Sequence, residues 1–105
     1  MPLCLSGKKS EQGNDMKKHF NIRISGVVQG VFFRASTKEK ADALKITGLV
    51  RNEPEGSVYV EAEGEDEDLD TFVRWCRHGP PRAKVQKCDV REEGLKDFAR
   101  FVIER

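Results

Sequence analysis

Between Ser25 and Phe33 the apolar period of this chain changes from two residues to three and four. Phe20, Ile22 and Ile24 alternate with Asn21, Arg23 and Ser25, which predicts a strand with one apolar and one polar face. Phe33, Thr37, Ala41 and Leu44 then recur at helical spacing among good helix formers, Ala35, Lys38, Glu39, Lys40 and Ala43. The joining stretch, Gly26-Val27-Val28-Gln29-Gly30-Val31-Phe32-Phe33-Arg34, is bracketed by glycines and ends in arginine. A strand that turns into a helix within so few residues brings its C-terminal end beside that helix's N-terminal end.

The remaining chain repeats the alternation of types. Gly48 opens a strand over Leu49–Glu53, Pro54-Glu55-Gly56 is a turn signal, and Val58, Val60 and Ala62 alternate with Tyr59, Glu61 and Glu63. After Gly64 come four acids, Glu65–Asp68, of the sign that a helix N-terminus favours. Leu69, Phe72, Val73 and Cys76 form an amphipathic stripe, and Gly79-Pro80-Pro81 stops it. Val85–Arg91 and Phe98–Glu104 read as strands, with Glu93-Gly94-Leu95-Lys96 as the turn between them. The order βαββαβ plus a short C-terminal strand predicts an α+β, ferredoxin-like split β-α-β sandwich. Its sheet is expected to be antiparallel, with both helices on one face, so that the other face can be solvated, which suits the polar residues at the alternate strand positions.

The chain has 105 residues, enough for one small domain, with 37% apolar and 35% charged residues. Residues 1–16 are polar and aperiodic and are expected to be a disordered extension, with the domain over 17–105. No signal peptide or membrane-spanning run is read, and three cysteines without a Cys-x-x-Cys pair point to reduced thiols in the cytoplasm. The net charge of +1 lacks the basic excess of a nucleic-acid binder, and two histidines without clustered ligand spacing argue against a structural zinc site. The modest apolar inventory favours a monomer.

A Gly-bracketed loop entering a helix turns several backbone N–H groups toward one point, and Arg34 adds a permanently charged fork suited to phosphate or carboxylate oxygens. Val27, Val28 and Val31 are expected to wall the site. The same residues also suit an ordinary turn with a surface arginine. Asn52 is unusual in a strand, and its amide can hold one water in a set orientation. It also suits the start of the Pro54–Gly56 turn.

Gly26–Arg34, and Gly48-Leu49-Val50-Arg51-Asn52-Glu53-Pro54-Glu55-Gly56-Ser57-Val58 through Gly64, closely resemble the two signatures of the acylphosphatases. Gly79–Val85 is similar to that family's connection after the second helix, and the resemblance spans about Lys17 to Arg105. Leu49 departs from it, since the family often has an aromatic residue there, and a change of packing rather than chemistry is expected. The resemblance implies that Arg34 and the loop Gln29, Gly30, Val31, Phe32 and Phe33 bind the phosphate of a small-molecule acyl phosphate. It also implies that Asn52 positions the attacking water, with no metal and no cofactor. The alternative is a non-catalytic ferredoxin-like module that binds an acyl phosphate or a protein partner.

Two other strings mimic known chemistry. Cys76-Arg77-His78-Gly79-Pro80-Pro81-Arg82 has the Cys-x5-Arg spacing of cysteine-dependent phosphatases and contains Arg-His-Gly. It runs from a helix into a strand, so carbonyls rather than amides would face an anion, and Pro80 and Pro81 have no N–H. Cys76 is therefore expected in the core. For RNA stacking, Tyr59 is the one suitable aromatic on the sheet. His19 and His78 have no partner legible in the sequence.

Overall fold

The computed structural model describes residues 17–104; the expected disorder of residues 1–16 lies outside the described part. The elements are β1 (Lys17–Val27), α1 (Phe33–Ala43), β2 (Thr47–Asn52), β3 (Val58–Glu65), α2 (Asp66–Cys76), β4 (Lys84–Glu93) and β5 (Phe101–Ile103). They form one five-stranded sheet of order β4-β1-β3-β2-β5. The first four strands pair antiparallel, as the element order predicts.

One face of the sheet carries the core. Ile22 pairs with Val60, Val60 with Val50, and Ile24 with Val58, so these side chains share a face. Phe33 and Ala41 of α1, and Leu69, Phe72 and Cys76 of α2, pack on them in a single cluster. Each fully buried side chain of this size contributes roughly 1.5–3 kcal/mol. Thr37 is buried among them, and its hydroxyl donates to the Phe33 carbonyl at 2.7 Å, which satisfies the polar atom.

The C-terminal strand departs from the antiparallel expectation. β4 occupies one edge, so the chain must cross the sheet to reach the free edge of β2, and it arrives running parallel to β2. The sheet is therefore mixed. Glu93–Lys96 does not close a hairpin; residues 94–100 make the crossing instead.

That crossing also corrects the expectation of a solvated second face. His19, Glu61 and Glu63 sit there yet are buried. The Gly94 carbonyl lies 2.8 Å from His19 Nδ1. The amides of Lys96, Asp97 and Phe98 all donate to the Glu63 carboxylate. Farther along the same face Arg23 stays exposed and Tyr59 half-buried.

Candidate active site

The two bracketing glycines have separate jobs. Gly26 has φ 126° and sits where the β1–β4 register shifts; a Cβ there would lie 2.2 Å from the Lys84 carbonyl oxygen. It permits close strand pairing. Gly30 has φ 75° with open space around it, so its need is conformational. Phe32 is also left-handed, at φ 63°. That conformation strains a bulky residue by on the order of 1 kcal/mol or more.

α1 starts at Phe33 with Phe32 in the capping position, and no side chain caps it. The first helical bond there runs from Ser36 N to Phe32 O, which leaves the amides of Phe33, Arg34 and Ala35 without intrahelical acceptors. Its first turn holds no acid, whereas that of α2 holds Asp66, Glu67 and Asp68. The positive end of the α2 dipole is compensated by its own first turn, and that of α1 is not.

A cavity of about 420 Å³ opens at this helix end, lined by Val28, Gly30, Phe32, Phe33, Arg34, Ala35, Asn52 and Ile103. Arg34 is half-buried and makes no ion pair with another described residue, in contrast to Arg23, Arg51 and Arg74. The Asn52 side chain, brought in by the last residue of β2, has no hydrogen-bond partner among the described residues. Five of the predicted site residues, Gly30, Phe32, Phe33, Arg34 and Asn52, thus share one cavity.

Gln29 and Val31 do not line it. The Gln29 amide nitrogen donates to the carbonyls of Glu53 (2.8 Å) and Ser57 (2.9 Å), tying the loop to the turn after Asn52. Val31 packs partly buried against the core. Of the three valines expected to wall the site, Val28 alone lines it. Val27 is half-exposed, because it continues the outward-facing series of Arg23 and Ser25 while Val28 follows Ile22 and Ile24 inward. Ile103 completes the lining from the far end of the sequence, and no local pattern pointed to it.

The other strings behave as their positions dictate. Cys76 ends α2 inside the core, and burial pushes its thiol well above the usual value, so it is not a thiolate. The Tyr59 ring lies against the guanidiniums of Arg51 (4.6 Å to the centroid) and Arg23 (5.5 Å), and its hydroxyl donates to Glu61. This aromatic is already covered rather than presented for stacking. Among the described residues no group of His, Cys, Asp and Glu could hold a metal ion, and no helix is long and apolar enough to cross a membrane.

The acylphosphatase family model matches residues 20–103. An acylphosphatase of Rubrobacter xylanophilus is 44% identical over 93 residues, 89% of this chain and 84% of the relative. One of Acaryochloris marina is 50% identical over 82 residues, 78% of this chain and 88% of the relative. The solved structure of an acylphosphatase from Coxiella burnetii superposes with a TM-score of 0.85 at 34% identity, covering 89% of this chain and 98% of that one.

Proposed function

This chain belongs to the acylphosphatase family, and from that premise we propose that Arg34 and the amides of the Gly30–Phe33 loop hold the phosphoryl group while Asn52 holds the attacking water. The reaction is the hydrolysis of an acyl phosphate to a carboxylate and inorganic phosphate. The observation that carries the residue assignment is the convergence on one cavity of a guanidinium and an asparagine side chain that have no partner among the described residues and a helix start that no side chain caps.

The chemistry asks for little more. The water oxygen attacks phosphorus, the P–O bond to the acyl group breaks, and its electron pair leaves on the carboxylate. That leaving group has a conjugate acid of pKa about 4, so no general acid is needed to expel it. A phosphoryl oxygen of the substrate takes the water's proton. Charge is spread over the phosphoryl oxygens in a loose transition state, so positioning and fixed positive dipoles supply the catalysis. Arg34 and the helix amides provide the charge, and Asn52 provides the position. The cavity is complete within one chain, which supports a monomer as the working unit.

Phosphate release from acetyl phosphate, followed with a chelator present, tests this reading. The wild type is expected to turn over unaffected by the chelator. Asn52→Ala should keep the fold and lose about 3 kcal/mol of barrier lowering, roughly 10²-fold in kcat. Arg34→Ala should raise KM and lower kcat together. Wild-type turnover by Asn52→Ala would remove its assigned role.

A further inference from the structure

We propose that Phe32 and Ile103 form an apolar seat for the acyl group, so that the enzyme selects acyl phosphates with short apolar chains over those with a distal anion. This rests on the reading of Arg34 and Asn52 given above.

The first observation is Phe32. It is 71% exposed, lines the cavity and holds a left-handed backbone conformation. Glycine or asparagine would adopt that φ with less strain, and a smaller residue would leave less apolar surface in water. A large ring that carries both penalties at the rim of the phosphate site gains a partner when an apolar group binds there.

The second observation comes from the other end of the chain. Ile103, on the short strand β5, is 41% exposed and lines the same cavity. An adjoining groove between α1 and β5 is lined by Ala35, Ser36, Lys38, Glu39, Asp42 and Ile103. Ala35 and Ile103 belong to both, so the phosphate cavity continues into this groove past two apolar side chains.

The charge pattern gives the selectivity its sign. Arg34 is the one cation lining the cavity among the described residues, and the phosphoryl group engages it. In the groove, the Lys38 ammonium is 2.8 Å from the Asp42 carboxylate and 3.2 Å from the Phe101 carbonyl, and Glu39 adds a second acid. A second anionic group on the substrate thus meets apolar walls and a groove whose acids outnumber its amine. An apolar chain meets surface that is dehydrated when it is covered.

Acetyl and butyryl phosphate isolate the apolar contact, because their leaving carboxylates are similarly acidic; succinyl phosphate, whose ionised far carboxylate makes its leaving group more basic, is read through the change of its ratio between wild type and variant, where that difference cancels. In kcat/KM the wild type should favour butyryl over acetyl phosphate by about fivefold, from partial burial of two methylenes. It should disfavour succinyl phosphate relative to butyryl by more than tenfold. Ile103→Ser should reduce the butyryl-to-acetyl ratio below twofold. Ile103→Lys should raise the succinyl-to-butyryl ratio at least tenfold, a gain that a merely damaged fold does not give. Equal rates for acetyl and butyryl phosphate in the wild type, or a ratio unchanged in Ile103→Ser, would overturn the apolar seat and leave the phosphate site standing. Failure to hydrolyse any of the three would overturn the reading of the site and this inference with it.

Discussion

Gln29 shows how one side chain can serve a site that it does not line. Its amide nitrogen reaches two backbone carbonyls, Glu53 and Ser57, on the turn that follows Asn52. The loop that carries Arg34 and the strand that carries Asn52 are thereby fixed relative to each other. Gln29→Ala is expected to lose about 2 kcal/mol of stability, the sum of two hydrogen bonds to backbone. It should also lower kcat/KM by about tenfold or more, since small displacements of positioned groups are costly in rate. Gln29→Glu should be worse on both counts, because an ionised carboxylate cannot donate and would face two carbonyl oxygens. Urea unfolding together with acetyl phosphate turnover measures this; full turnover in a destabilised Gln29→Ala would show that the loop keeps its position without the latch. Gln29 is legible in the sequence as a loop residue but the latch is not, because its acceptors are backbone atoms 24 and 28 residues away. Arg34 and Asn52 were legible for the opposite reason. Each stands out in its own local pattern, a charge at a helix start and an asparagine in a strand.

At the level of elements, the crossing segment 94–100 is held by acids that the alternation of β3 assigned to solvent. Burial pushes the Glu63 carboxyl upward, but the amides of Lys96, Phe98 and Asp97 outweigh it and hold the group below its ordinary value. For Glu61 burial also acts upward, and hydrogen bonds from Lys96, Tyr59 and His19 again leave it lowered. Both carboxyls therefore titrate lower in the folded chain than in the unfolded one. Their contribution is fully present above the unfolded value of about 4.5 and is lost as pH falls through the folded values. Glu63→Gln should accordingly be less stable at pH 7 and show a shallower loss of stability on acidification below about pH 4.5 than the wild type. Thermal melts at a series of pH values measure this, and parallel acid limbs in the two proteins would refute it. The strands and helices themselves were readable from periodicity to within a few residues. The buried acids were not, since alternation reports which face a residue occupies and not what later crosses that face.

For the molecule as a whole, topology was legible as far as the chain keeps to its neighbours. The βαββαβ order determines four antiparallel strands, but nothing near Phe101 says that β5 joins the edge of β2 rather than β4. The structure makes that choice expensive to undo. Phe101 is 2% exposed, meets Phe72 of α2 edge to face at 6.2 Å, and belongs to the single core cluster. The backbone bonds Gly48 N to Arg100 O and Glu104 N to Val50 O tie both ends of β5 to β2. Phe101→Ala removes the ring and leaves the strand pairing, so its cost is transfer plus cavity, about 3–5 kcal/mol. A domain of this size has only about 5–15 kcal/mol of stability in total, and each kilocalorie per mole shifts its melting temperature by roughly 4–8 °C. The melting temperature should therefore fall by at least about 12 °C. Phe101 does not line the cavity. Turnover measured well below the melting transition should stay within about twofold of wild type, the tolerance expected when the lining side chains keep their places. A shift of only a few degrees would mean that β5 rests on the domain without sharing its core. A collapse of low-temperature turnover with little loss of stability would mean that Phe101 acts on the site through Ile103, two residues along the same strand.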